Sequence, residues 1–123
     1  DSVASRGLGD VYKRQALRHL QQQGLTFVQR HYRVARGPGA RAAEIDLVMR
    51  DHDGTLVFVE VRARSGLRHG GAAASVDPAK QRRLVWAARH FLLRLPALPP
   101  CRFDVVAIDG EDLTWIPAAF DAS

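Results

Sequence analysis

Cysteine is almost absent from this chain: Cys101 is the one thiol in 123 residues. A lone thiol excludes an internal disulfide, and zinc-type Cys/His spacing is missing as well, so a reducing cytoplasmic setting is the expectation. No apolar run approaches the roughly 20 residues that a membrane-spanning helix needs, and no secretory apolar region is visible, so no membrane partner is expected. A phosphate-cradling glycine loop with its lysine is missing, as is a nucleophile elbow, and there is no internal repeat or linker-like tract. These absences remove the commonest short motifs of nucleotide, zinc and serine-hydrolase chemistry.

What the chain has in quantity is charge. The 18 Lys and Arg against 13 Asp and Glu give a formal +5, which favours a polyanionic partner without naming one. The length suits a single domain over residues 1–123 with a real core. Leu8, Tyr12, Ala16 and Leu20, with Val11 and Leu17 beside them, form the stripe of a first helix that Gly24 stops. Phe27 to Val34 reads as a strand, and Ala35 to Ala42 as a basic loop. Ala43 to Met49 and Thr55 to Arg62 are strands joined by Asp51-His52-Asp53-Gly54, whose Asp-Gly step suits a tight reversal. Ser65 to Val76 reads as an irregular glycine- and alanine-rich segment. Asp77-Pro78 opens a second helix with a stripe of Leu84, Ala88, Phe91, Leu92 and Leu95, and Pro96 to Pro100 end it. Arg102 to Ile108 and Leu113 to Ile116 are the last strands. The predicted architecture is α/β, a mixed central sheet of about five strands flanked by helices, in the order α-β-β-β-α-β-β.

The chemistry concentrates between Glu44 and Arg64. Side chains alternate faces along a strand, so Glu44 shares a face with Asp46, and Glu60 shares one with Arg62. If the two strands pair, three carboxylates and a guanidinium converge in a Val/Leu/Ile/Phe-rich setting. Carboxylates there are costly to desolvate unless paired, and a divalent cation suits several at once. The plainer alternative is a salt-bridge ladder with Arg62 and Arg64, each cross-strand pair stabilising by a few tenths to about 1 kcal/mol.

The segments E-I-D-L-V (Glu44 to Val48), V-F-V-E-V-R-A-R (Val57 to Arg64), G-G-A-A-A-S-V (Gly70 to Val76), Lys80-Gln81 and C-R-F-D-V-V-A (Cys101 to Ala107) resemble the YraN family in order and spacing, from about Ala16 onward. The family is similar to the restriction-endonuclease-like superfamily, whose motif is an acidic residue on one strand and Glu-x-Lys on the next. The resemblance implies that Asp46, Glu60 and the Val61 carbonyl hold Mg²⁺ or Mn²⁺, with Asp46, Glu60 and Arg62 catalytic and Glu44 accessory. Arg41, Arg64, Lys80 and Arg83 are the expected nucleic-acid contacts. The implied activity is phosphodiester hydrolysis in DNA, branched or otherwise structured. The alternative is a catalytically inactive nucleic-acid-binding protein that keeps the fold. A homodimer would let two sites cut two strands.

Two departures from the motif bear on that choice. Arg62 stands where the superfamily has Lys, and a guanidinium with pKa above about 12 cannot accept a proton, though its fork can orient water or neutralise phosphorane charge. Lys13 stands where relatives carry a helix glutamate that reaches the metal. Residues 1 to about 15, with G-D-V-Y-K-R-Q at Gly9 to Gln15, resemble translated adapter sequence, and the expectation is that they are a non-native extension. Gly70 and Gly71 serve a turn in the plainer reading. The five histidines lack ligand spacing. Trp86 belongs with the second helix's stripe, and Arg102 with Asp104 reads as a structural ion pair.

Overall fold

A computed structural model describes residues 3–64 and 73–122. The elements are α1 (Val3–Gln22), β1 (Thr26–Val34), β2 (Ala43–Arg50), β3 (Leu56–Arg64), a 3₁₀ turn (Ala73–Ser75), α2 (Pro78–Leu92), β4 (Cys101–Asp109) and β5 (Asp112–Phe120). They form one sheet in the order β1-β2-β3-β4-β5, antiparallel except for the parallel β3–β4 pair. This is the expected α-β-β-β-α-β-β chain order and mixed five-stranded sheet, with a restriction-endonuclease-like core. Residues 65–72, with Gly70 and Gly71, lie outside the described residues.

The sheet separates two apolar layers. On one face α2 lays Leu84, Val85, Ala87, Ala88 and Phe91 against Ala43, Ile45, Val48, Leu56 and Phe58. On the other, Ala16 and Leu20 of α1 meet Leu47, Met49, Val57, Val59, Val106 and Ile108. A middle sheet buried on both sides explains why β3 and β4 read as nearly continuous apolar runs rather than alternating ones. The α1 stripe is narrower than its sequence implies, because Val11 is 47% exposed.

Local chemistry sets the ends of the elements. Asp77 caps α2 by accepting the Lys80 backbone N–H (2.8 Å), with Pro78 in the first turn. Gly54, at φ 90°, closes the β2–β3 reversal, where Asp51 N–H donates to the Thr55 carbonyl (2.8 Å). β5 outruns its predicted end at Ile116 and reaches Phe120. Pro117 is tolerated because β5 is an edge strand. A bulge beyond it holds Ala118 at φ 50° and turns its N–H onto Asp104 Oδ1 (2.9 Å).

Candidate metal centre in a strand fork

β2 and β3 pair from Arg50↔Leu56 to Leu47↔Val59, and there the register ends. β2 continues along β1 to Val34↔Ala43, while β3 continues along β4 to Arg64↔Asp109. The two strands therefore part like a fork. In the crotch, the Asp46 side chain does what the next rung of the ladder would have done: its Oδ2 accepts the Val61 N–H at 2.8 Å. The N–H and C=O of one strand residue face the same edge, so the Val61 carbonyl also faces the fork.

Face alternation breaks at Asp46. Ala43, Ile45 and Val48 belong to the α2-side core, whereas Leu47 and Met49 belong to the α1-side core. The irregularity has a counterpart in β1. Arg30 pairs with Leu47 and Tyr32 with Ile45, but the pair between them, His31 with Asp46, is skipped, and His31 sits at φ 53°. A non-glycine residue in the left-handed region is strained by roughly 1–3 kcal/mol, and the strain here lies opposite the residue that must swing into the fork.

Asp46 meets Glu60 there. Glu60 is only 4% exposed, and burial pushes its carboxyl from an ordinary 4.5 up to about 8; Asp46 adds to the rise by its charge and as a hydrogen-bond partner, while Lys80 and Arg62 oppose it. Lys80 Nζ is 3.5 Å and Arg62 Nε 3.2 Å from Glu60 Oε2, and Lys13 Nζ is 3.5 Å from Asp46 Oδ1. Arg62 Nη2 donates to the Ser75 carbonyl (3.4 Å). Its Nε is close enough to Glu60 for an ion contact but is not aimed at it, and is a buried donor without a hydrogen bond among the described residues. Among the described residues, three cations thus face two carboxyl groups.

Of the other sequence-nominated residues, Lys80 joins the fork through Glu60 and Glu44 does not. Glu44 does not join the carboxylate pair; it is held outside the fork by His31 Nε2 (2.8 Å) and Arg33 Nε (3.7 Å). The fork is the reason: β2 pairs with β3 only from Leu47 to Arg50, and Glu44 lies beyond that, where β2 is paired with β1 and Arg33 sits across from it. The three-carboxylate convergence expected from regular strands is therefore reduced to two, and no group of three or more His, Cys, Asp or Glu suited to a metal occurs among the described residues. Lys80, the residue expected at a phosphate, reaches Glu60. Arg41 is exposed on the β1–β2 loop, where its carbonyl accepts from Arg36 Nε (2.7 Å). Arg83 is half-buried on α2. Arg64 ends β3, and its side chain lies outside the described residues. His31, one of the histidines without ligand spacing, is exposed, and nothing in the local pattern marks a histidine that leaves its strand's regular geometry.

The remaining buried charge is structural, as its sequence implied. Asp104 is fully buried and accepts from Arg102 Nε (3.0 Å), Trp115 Nε1 (2.9 Å) and the Ala118 N–H, while Arg102 Nη1 also reaches Asp51 Oδ2 (2.8 Å). Trp86 is half-buried against the α2-side core and lies 4.0 Å from the His90 ring.

A dication fits the donor set in the fork. Two carboxylates and a backbone carbonyl are hard oxygen ligands, and Mg²⁺ typically takes one or two carboxylates, keeping waters or substrate phosphates for the rest. Entry would require Lys13 to leave Asp46 Oδ1 and Glu60 to give up its proton.

Fold and site together define an α/β domain of restriction-endonuclease-like core with a carboxylate pair where two of its strands part. The family model described as "Uncharacterised protein family UPF0102" matches residues 12–108, and the chain belongs to that family, the YraN family. It is 59% identical over 121 residues to a UPF0102 protein of Methylibium petroleiphilum, covering 98% of this chain and 99% of the relative. A UPF0102 protein of Cupriavidus taiwanensis is 62% identical over 107 residues, 87% of this chain and 77% of the relative. One from Albidiferax ferrireducens is 55% identical over 118 residues, 96% and 90% of the two chains.

Proposed function

We propose that the chain is a metal-dependent nuclease that hydrolyses phosphodiester bonds in DNA, with branched or single-stranded segments as the substrates to try first. The observation that carries this reading is the fork: Asp46 bridges to Val61 N–H beside a buried Glu60, so two carboxylates and a backbone carbonyl meet where the sheet opens. Mg²⁺ or Mn²⁺ bound there would polarise a phosphoryl oxygen and acidify a water. The chain's own residues have separate tasks. Asp46 and Glu60 would hold the ion, and the Val61 N–H fixes the Asp46 carboxylate through Oδ2. Arg62 Nε, a buried donor with no hydrogen bond among the described residues, takes a non-bridging phosphate oxygen as charge builds on it. Lys80 keeps the Glu60 carboxylate in place and screens it against Asp46. The formal +5 of the chain favours approach of a polyanion. A cytoplasmic setting belongs to this reading, and no described helix is long and apolar enough to cross a membrane.

A second reading is favoured by one contact. Lys13 occupies Asp46 Oδ1, and with Arg62 in the place of the superfamily Lys the fork is already charge-compensated without a metal, as a binding protein that has lost catalysis would have it. Single-turnover assays with fluorescent branched and single-stranded DNA in Mn²⁺ separate the two. The nuclease reading expects cleavage that falls at least about 100-fold in Asp46→Ala and Glu60→Ala. Binding without cleavage by any form, the parent chain included, selects the second reading.

A further inference from the structure

Beside the fork, a cavity of about 780 Å³ opens between α1 and the β1–β2 edge, lined by Lys13, Arg30, His31, Arg33 and Glu44, with Asp10 at its α1 wall. Residues three apart on a regular strand point to opposite faces, so Arg30 and Arg33 should not share a space. They do because His31, between them, is left-handed and its pairing with Asp46 is skipped. The same irregularity that turns Asp46 into the fork thus gathers two guanidinium groups next to it. His31 and Arg33 are tied to Glu44, Lys13 to Asp46, and Arg30 has no ion pair among the described residues.

We propose that this cavity seats a nucleic-acid backbone phosphate next to the one held at the fork, with Arg30 and Arg33 as the phosphate donors. The proposal rests on the nuclease reading for its orientation, but not for the binding itself. Guanidinium forks match phosphate oxygens two at a time, and the volume lies within the range of small-ligand sites, large enough for a nucleotide unit. Lys13 lines the cavity and also touches Asp46, so an anion seated there competes for the ammonium that blocks the metal's oxygen. Strand binding and ion binding then favour one another. Arg30 and Arg33 would add to the nucleic-acid contacts expected at Arg41, Arg64, Lys80 and Arg83.

The test uses the full chain in EDTA, so that no cleavage intervenes, with fluorescence anisotropy of a short labelled single-stranded DNA over a salt series. Arg30→Gln with Arg33→Gln should weaken binding at least tenfold and flatten the log–log salt slope by about 1.4, at roughly 0.7 per lost phosphate contact. Arg30→Gln alone, which breaks no ion pair among the described residues, should give about half the slope change and keeps the test decisive if Arg33→Gln unfolds. Affinity within twofold of the parent and an unchanged slope in the Arg30→Gln chain overturns the proposal, as does affinity for inorganic phosphate alone with none for the oligonucleotide. Mn²⁺-dependent cleavage is scored separately. Loss of cleavage in Asp46→Ala with unaltered binding in the arginine variants sinks the cavity and spares the nuclease. Weakened binding in the arginine variants, with no cleavage by the parent chain, does the reverse.

Discussion

An ionised glutamate at the depth of Glu60 opposes folding. Burial, then the Asp46 charge, lifts its carboxyl to about 8, while an unfolded chain releases that proton near 4.5. Between these values the folded state binds the extra proton, so stability from this group is intact below about 4.5 and is lost as pH rises to about 8. Glu60→Gln, neutral throughout, should therefore be more stable than the parent at pH 8 by roughly a few kcal/mol, the gap closing towards pH 4.5. Urea unfolding at a series of pH values checks it; a gap that widens on acidification contradicts the assignment. Such a shift is invisible to a sequence reader. The residue types and the spacing of Asp46, Glu60 and Arg62 were legible, but the burial that changes their chemistry comes from α2 and the 3₁₀ turn closing over them.

Among the elements, the strands were read well because apolar runs bounded by turn residues are local signals, as are Gly24 at the end of α1 and Asp77-Pro78 at the start of α2. The other helix ends differ from the reading: α1 begins earlier than Leu8, at Val3, and α2 ends at Leu92, before Leu95. β5 was read short. Its second half depends on Asp104, a residue of the neighbouring strand, which accepts the Ala118 N–H, the Trp115 indole and the Arg102 guanidinium at once. Asp104→Ala would leave Arg102 without its main counter-ion and strip the bulge of its acceptor. The expected cost is about 3–5 kcal/mol by guanidinium denaturation, with hydrogen exchange rising first at residues 113–120. A loss under about 1 kcal/mol would mean that Asp51 alone satisfies Arg102. Helix α1 carries the other lesson: its stripe was drawn too wide because a helix on a sheet buries only the side chains that meet the strands, and Val11 does not.

At the scale of the molecule, the fork's charge balance involves both helical layers, Lys13 from α1 and Lys80 from α2. Lys13 is the contact that a metal has to displace. Lys13→Met should raise Mn²⁺ affinity roughly tenfold, once the Coulomb term is discounted for the 30% exposure of the lysine side chain, with proton release on binding that grows below pH 8. Isothermal titration in two buffers of different ionisation heat measures both, and an unchanged affinity would place the ion elsewhere. The basic cavity beside the fork is a property of this scale too, since its walls come from a helix and two strands.

The amino-acid sequence by itself determined the α-β-β-β-α-β-β order, the mixed sheet and the residue types at the acidic strands, since each rests on periodicity, caps and turn chemistry within a few residues. Only the tertiary structure decided that Asp46 meets Glu60 while Glu44 turns away to His31 and Arg33. The physical reason is register: the ladder between β2 and β3 ends at Leu47↔Val59, and a left-handed His31 on a third strand resets the alternation that local spacing takes for granted.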